Sequence, residues 1–342
     1  MGGAAERLLA PACAQIPNLK AIAGCDPDPD RRAWAESRFG LKTYSTPEEL
    51  LRSEQPEIAL IGTPPDSHFA LAQLALEHGA HVFLEKPFTQ TTEEADALID
   101  LARAQQRLLA VNTQYRYMDI YRRTRERLAA GDFGRLYGIQ VWQQMFHPAD
   151  LDGPNWRRQM RRATLYEFGG HALDLLCYLF DAAPQEISAL TPAVRDEFHS
   201  DVLVQATLKF PQDRLATLWF NRVSHAPMRY LEMRLHCEHA SVRISLGGVA
   251  RISLDWVGRP RLRVSLNKGG EAREERDGRA RTFASMRSPA FLPATVAHLE
   301  EFLARIARGD NDLTAAEEAR VVLRASLAGY ESAETGGAWV HI

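Results

Sequence analysis

From Leu19 to Val111 the chain alternates short apolar runs with amphipathic stretches, and few folds accommodate that alternation. Leu19 to Cys25 is apolar and reads as a strand. Asp28-Pro29 follows, a cap residue with proline at the first helical position, and predicts a helix from Asp30 to Phe39 that Gly40 ends. Thr46-Pro47-Glu48-Glu49 supplies a capping box and a second such proline. Ile58 to Ile61 is a strand apolar on both faces, as expected of one covered on both sides. Ser67 to His78 is helical by period and Gly79 stops it; Val82 to Leu84 is the next strand. Thr91 and Glu94 then cap a helix with the stripe Ala95, Leu98, Leu101, Ala102, and Leu108 to Val111 closes the series. Such alternation means an α/β domain built on a parallel sheet with right-handed crossovers, a Rossmann-type domain over residues 1–112.

In such sheets ligands bind beyond the carboxyl ends of the strands. The loops there carry Asp26, then Thr63-Pro64-Pro65, then Glu85-Lys86-Pro87. A dinucleotide fingerprint places G-x-G-x-x-G/A between a strand and a helix, with an acidic residue about 20 positions on. Here Gly2 stands for the second glycine, with Gly3 and Ala4 beside it, and Ala5 for the third, small residue. The first glycine and the strand before it are absent, and the expectation is a start clipped from a longer chain, since losing a central strand would expose two sheet edges. Asp26 is placed to accept from a ribose 2′-hydroxyl and to repel a 2′-phosphate. NAD is therefore expected, with NADP admitted because Arg31 and Arg32 lie close by.

Residues 113–342 read differently. Leu136–Trp142, Val202–Phe210, Leu215–Phe220, Leu231–His236 and Ser241–Leu246 alternate polar and apolar, as antiparallel strands with one open face do. Helices are expected over about Ala294–Arg308 and Ala315–Ser332, and the charged stretch Glu271–Arg281 reads as a solvated loop. This makes an α+β domain for substrate binding and oligomerisation, with a large sheet that calls for covering.

The remaining classes narrow quickly. A formal charge of -3 gives no clustered positive surface for nucleic acid. No run approaches the roughly 20 apolar residues of a membrane span, and the N-terminus lacks signal-peptide order. Cys13, Cys25, Cys177 and Cys237 are scattered without metal-type spacing; Cys25 and Cys177 read as buried thiols, and a cytoplasmic location is expected.

Two constellations carry chemistry. Oxidising a secondary alcohol needs a proton acceptor at the hydroxyl and stabilisation of the alkoxide-like charge. Lys86 follows a buried strand and is constrained by Pro87, so its amine can serve over a cleft. In Glu167-Phe168-Gly169-Gly170-His171-Ala172-Leu173-Asp174, helical spacing puts Glu167, His171 and Asp174 on nearly one face, where a carboxylate beside the imidazole would favour a general base. Gly169-Gly170 is read as a place where backbone approaches a ligand. Gln114, Tyr115 and Arg116 follow the last strand of the first domain and are candidates for substrate contact. Trp156-Arg157-Arg158 with Arg161-Arg162 reads as a solvated basic face that can receive an anionic sugar acid, with Trp156 a substrate contact.

From Leu60 onward the chain resembles the Gfo/Idh/MocA family of glucose-fructose oxidoreductases and inositol dehydrogenases. The resemblance rests on Ile61-Gly62-Thr63-Pro64-Pro65-Asp66-Ser67-His68, on His78-Gly79-Ala80-His81-Val82-Phe83-Leu84-Glu85-Lys86-Pro87, on Gly131-Asp132-Phe133-Gly134-Arg135-Leu136 and on the closing Ser326–Gly336. It implies cofactor contacts from Thr63, Pro64, Pro65, His68, Glu85 and Lys86. It also implies an acid-base His171 with an acidic partner, Glu167 standing where the family has Asp, and a small polyhydroxylated substrate contacted by Gln114, Arg116, Trp156 and Asp174. Lys86 and His171 are expected to converge on one carbinol. The resemblance further implies that a homodimer or homotetramer covers the large sheet. Alternatives on the same scaffold are redox-assisted glycoside cleavage and a dinucleotide-binding sensor.

Overall fold

The computed structural model describes residues 3–146, 156–194, 198–225, 230–247, 249–257, 259–267, 269–286 and 291–342. In chain order the elements are α1 (Ala10–Cys13), β1 (Ala23–Cys25), α2 (Pro29–Phe39), β2 (Lys42–Tyr44), α3 (Pro47–Glu54), β3 (Ile58–Ile61), α4 (His68–Glu77), β4 (His81–Leu84), α5 (Thr92–Ala104) and β5 (Leu109–Val111). Then come α6 (Asp119–Ala129), β6 (Leu136–Gln144), α7 (Trp156–Gln159), α8 (Gly170–Phe180), β7 (Glu186–Leu190), β8 (Leu203–Phe210) and β9 (Arg214–Asn221). The chain closes with β10 (Leu231–Cys237), β11 (Ser241–Leu246), β12 (Val249–Val257), β13 (Arg259–Asn267), β14 (Gly270–Arg276), β15 (Arg279–Met286), α9 (Phe291–Ala307), α10 (Thr314–Glu334) and β16 (Val340–His341).

The chain divides into two compact units, Met1–Gln114 with Phe291–Arg324 and Tyr115–Ala290 with Ala325–Ile342. The sequence reading kept everything after residue 112 together. In the structure Phe291–Arg324 belongs with the first unit because α9 closes its core: Leu299 and Phe302 pack with Phe83, Leu108, Ala110, Leu9 and Ile16.

The helices of the first unit start where capping chemistry sets them. Asp28 accepts from the Asp30 amide at 2.9 Å and Thr46 from the Glu49 amide at 3.4 Å. Thr91 and Glu94 form the reciprocal box, each side chain taking the other's backbone amide at 3.2 and 3.4 Å. Caps of this kind are each worth about 1 kcal/mol. The expected single parallel sheet appears as two, β1 with β2 and β3-β4-β5, all parallel. The predicted strand from Leu19 shortens to Ala23–Cys25. Residues 3 and 4 and the π-helical turn Ala5–Leu9 run helically into α1, so Gly3, Ala4 and Ala5 form no glycine turn; Gly2 lies outside the described residues. This helix presses on the end of β3: a Cβ on Gly62 would stand 2.9 Å from Leu9 Cδ1 and 3.4 Å from the Ala5 amide, so a larger residue there would have to displace Leu9.

The second unit is built on a nine-stranded sheet, β15-β14-β11-β10-β6-β9-β8-β7-β16, with β6 and β9 parallel and the other neighbours antiparallel. One face is the core, with Ile139, Val141, Leu218, Phe220, Met233 and Leu235 buried. The other exposes Tyr137, Trp142, Leu190, Leu215 and Trp219, with Trp142 and Trp219 in register on adjacent strands. Strands β12 and β13 pair separately. The predicted loop Glu271–Arg281 is corrected: most of it lies in β14 and β15, with Glu274 opposite Arg281. Its inward positions are Gly270, Ala272 and Ala284, too small to signal a buried strand. The thiols also differ from expectation. Cys13 and Cys237 are buried, while Cys25 and Cys177 are half-buried, and all four are free. No helix among the described residues is long and apolar enough to cross a membrane.

Candidate functional site

In the first unit the carboxyl ends of the parallel strands carry the expected residues. Asp26 follows β1; its amide donates to the Tyr44 carbonyl at 3.2 Å and its Oδ1 accepts from the Asp28 amide at 3.0 Å. Arg32 is tied down by the Asp26 and Pro27 carbonyls at 2.7 and 2.9 Å, and Arg31 pairs with Glu6 at 3.1 Å. Both guanidiniums are thus engaged, Arg31 through a half-exposed ion pair.

After β3, Thr63 and Pro64 are held by the Ser67 hydroxyl, which bonds Thr63 Oγ1 and the Pro64 carbonyl at 2.8 Å each, and Pro65 is buried. His68 was expected to line the cofactor site, and here the expectation is corrected. The ring is 0% exposed, with Nδ1 2.7 Å from the Pro87 carbonyl and Nε2 3.0 Å from that of Thr63. It fastens the loop after β3 to the loop after β4. Burial lowers its pKa from the ordinary histidine value.

Glu85, another expected cofactor contact, is also turned into the protein. Its Oε1 accepts from Asn112 Nδ2 at 2.7 Å, and Asn112 Oδ1 lies 3.3 Å from His298 Nδ1. The edge of Phe83 packs on His298 with centroids 4.9 Å apart. A buried carboxylate, amide and imidazole therefore fix the residue just before Lys86, which is itself half-buried. Asn112 and His298 were missed. Asn112 directly follows β5, where the carboxyl-end rule could have found it; His298 has no sequence signal. Gln114 is buried, and its Oε1 has no partner among the described residues. Such an orphan acceptor suits a bound hydroxyl or amide. Together with the Asp26 carboxylate at the end of β1, it fits a dinucleotide.

In the second unit the π-helical turn Thr164–Phe168 leads into α8 and carries Glu167. Asp201, also missed, anchors that turn by accepting from the Ala163 amide at 2.6 Å, the Thr164 amide at 3.0 Å and the Tyr330 hydroxyl at 3.0 Å. Gly169 serves packing rather than ligand approach, because a Cβ there would fall 2.5 Å from Phe220 Cε2. Glu167 is buried and bonds Arg157 at 3.1 Å, and Arg157 lies over the Trp156 ring at 4.3 Å. The basic residue read as solvated therefore neutralises the candidate acidic one. His171, in the first turn of α8, is buried with its ring stacked on Tyr115, centroids 4.0 Å apart and planes 7° from parallel.

Arg116 and Asp174, both expected to bind substrate, hold each other. Arg116 Nε lies 3.0 and 2.9 Å from the two Asp174 oxygens and Nη2 2.7 Å from Oδ1, and Asp174 is 1% exposed. This correction has a simple cause: a carboxylate so far from water needs a partner, and the guanidinium fork supplies it bidentately.

Residues 1–113 match the model of an oxidoreductase family with an NAD-binding Rossmann fold, and residues 121–243 match that of the GFO/IDH/MocA C-terminal domain. The chain is 29% identical over 218 residues to the uncharacterized oxidoreductase YdgJ of Escherichia coli K12, covering 63% of this chain and 61% of that protein. It spans roughly two fifths to three fifths of the length of the first curated relatives it matches. It is 26% identical over 318 residues to the UDP-N-acetylglucosamine 3-dehydrogenase of Acidithiobacillus ferrooxidans, covering 88% of this chain and 89% of the relative. Its fold is that of the aldose-aldose oxidoreductase of Caulobacter crescentus, solved with glycerol: TM-score 0.82 at 18% identity, over 100% of this chain and 97% of that one.

Proposed function

The chain belongs to the GFO/IDH/MocA oxidoreductase family, and we propose that it transfers hydride between NAD and a secondary alcohol of a sugar, inositol or related polyol. The observation that carries this reading is the buried Glu85–Asn112–His298 network, which fixes the strand end that presents Lys86 in an NAD-binding Rossmann domain. The sugar-directed names of the UDP-N-acetylglucosamine and aldose enzymes supply the substrate class.

When bound, NAD supplies the hydride acceptor. Asp26 would hold the adenosine ribose by accepting from its hydroxyl, and Gln114 Oε1 would accept from a further donor of the bound group. In this reading each unit has one role in the oxidation: His171 takes the carbinol proton, and Lys86 stabilises developing negative charge. Glu167, paired with Arg157, lies in the turn before His171.

The test is a panel of polyols, aldoses and glycosides, assayed with NAD and with NADP by absorbance of the reduced nucleotide. Reduced nucleotide should accumulate with at least one polyol or sugar, and NAD should be preferred at least tenfold. Glycoside cleavage that needs NAD yet accumulates no reduced nucleotide would overturn the reading in favour of redox-assisted hydrolysis. Dinucleotide binding without any turnover would leave a sensor.

We also infer a homodimer or homotetramer, supported by the open sheet face. Trp142 and Trp219 are 38% and 41% exposed side by side, an apolar patch of the kind that marks an interface. Sedimentation at micromolar concentration should give two or four copies, and Trp142→Glu with Trp219→Glu should give one. A wild-type chain that sediments as a monomer ends this inference.

A further inference from the structure

We propose that Tyr115 is a positioning residue for His171: its ring sets the plane of the imidazole, and a hydrogen-bonded chain through Tyr230 and Gln143 sets the ring. The proposal rests on the assignment of His171 as the proton acceptor, and all four residues lie in the second unit.

An imidazole on a helix turns freely about its outer torsion, because that sp³–sp² bond has broad, roughly two-fold wells. The stack on Tyr115 removes that freedom. The centroids are 4.0 Å apart and the planes 7° from parallel, closer than the usual aromatic range of roughly 4.5–7 Å. Rotating the imidazole would drive its edge into the tyrosine ring.

Tyr115 is itself enclosed by packing. Tyr121, fully buried in α6, lies near-parallel to it with centroids 6.4 Å apart and planes 15° from parallel. At its far end the Tyr115 hydroxyl is hydrogen-bonded to that of Tyr230. Gln143 on β6 then donates from Nε2 to the Tyr230 hydroxyl at 2.9 Å and to the Phe168 carbonyl at 3.0 Å. Phe168 ends the turn that precedes α8. One amide thus ties together the backbone that carries His171 and the ring that flattens its side chain. Burial raises the pKa of both phenols above the ordinary tyrosine value, so at neutral pH they serve as walls and donors rather than as proton carriers.

The test uses the full chain with ¹⁵N-labelled histidine, the His171 ring signals being assigned by their loss in His171→Gln. The wild type should show distinct Nδ1 and Nε2 signals for one tautomer. Tyr115→Leu should merge or broaden them and lower kcat at least tenfold with KM changed less than twofold, whereas Tyr115→Phe, which keeps the stack, should restore both to within threefold. Should Tyr115→Leu fail to fold, Tyr230→Phe keeps every ring and removes only the hydroxyl that anchors Tyr115, and it should shift the same signals. Folded Tyr115→Leu or Tyr230→Phe with His171 signals identical to wild type overturns the proposal. A His171→Gln variant with full turnover would instead remove His171 as acceptor, while leaving the ring measurement valid.

Discussion

Lys86→Ala should lower kcat by on the order of 10³-fold, within the 10²–10⁴ range for losing a positioned acid-base group, while the Kd for NAD stays within about threefold. A thousandfold loss corresponds to about 4 kcal/mol of barrier. The reason for so local an effect is that the structure around Lys86 is held by others. His68 bonds the Pro87 carbonyl, and Asn112 bonds Glu85, so truncating the side chain between them leaves the loop in place. Single-turnover kinetics beside a calorimetric NAD titration separates the two quantities. A near-wild-type kcat would take Lys86 out of the mechanism, and a large loss of NAD affinity would make it a cofactor contact instead.

The second large effect falls on stability. Asp174→Ala should cost the second unit about 3–5 kcal/mol, the usual result of leaving one member of a buried ion pair without its partner. Arg116, only 17% exposed, then loses its bidentate carboxylate while the face of Tyr178 lies 5.4 Å away. Replacing both together, Arg116→Met with Asp174→Leu, should recover most of the loss, because well-packed apolar residues often match a buried pair. Urea unfolding followed by tryptophan fluorescence measures both variants. A cost below about 1 kcal/mol for Asp174→Ala would mean that the pair does not hold the fold, and a substrate role for Asp174 would regain its standing.

These two residues also show how far the sequence could be read. Lys86 was singled out because a buried strand, a proline and a rule about strand ends all pointed to one position, and its role stands as a proposal. The caps at Asp28, Thr46 and Thr91 were legible for a similar reason, since capping is local chemistry with fixed spacing. Asp174 was legible as unusual but not as paired: its partner sits 58 positions away, and spacing along one helix says nothing about that. His68 and Glu85 were found for the right loop and given the wrong direction, since only three dimensions show that both face inward. Strands β14 and β15 escaped because their core-facing positions are Gly270, Ala272 and Ala284. Helix α6 escaped because its buried residues, Ile120, Tyr121 and Thr124, stand among arginines. Asp201, Asn112 and His298 act through single hydrogen bonds or small networks that leave no periodic trace.

The discontinuous first unit has a consequence for how the protein is made. Phe83, Leu108 and Ala110 leave the ribosome early, but Leu299 and Phe302, which cover them, follow roughly 190 residues later. At about 5–20 residues per second that is a wait of roughly 10–40 seconds. Through that interval the nascent chain carries an uncovered apolar floor, and the second unit, which needs Ala325–Ile342, is also unfinished. Stalled or prematurely terminated products lacking the last fifth of the chain should therefore be those that chaperones retain.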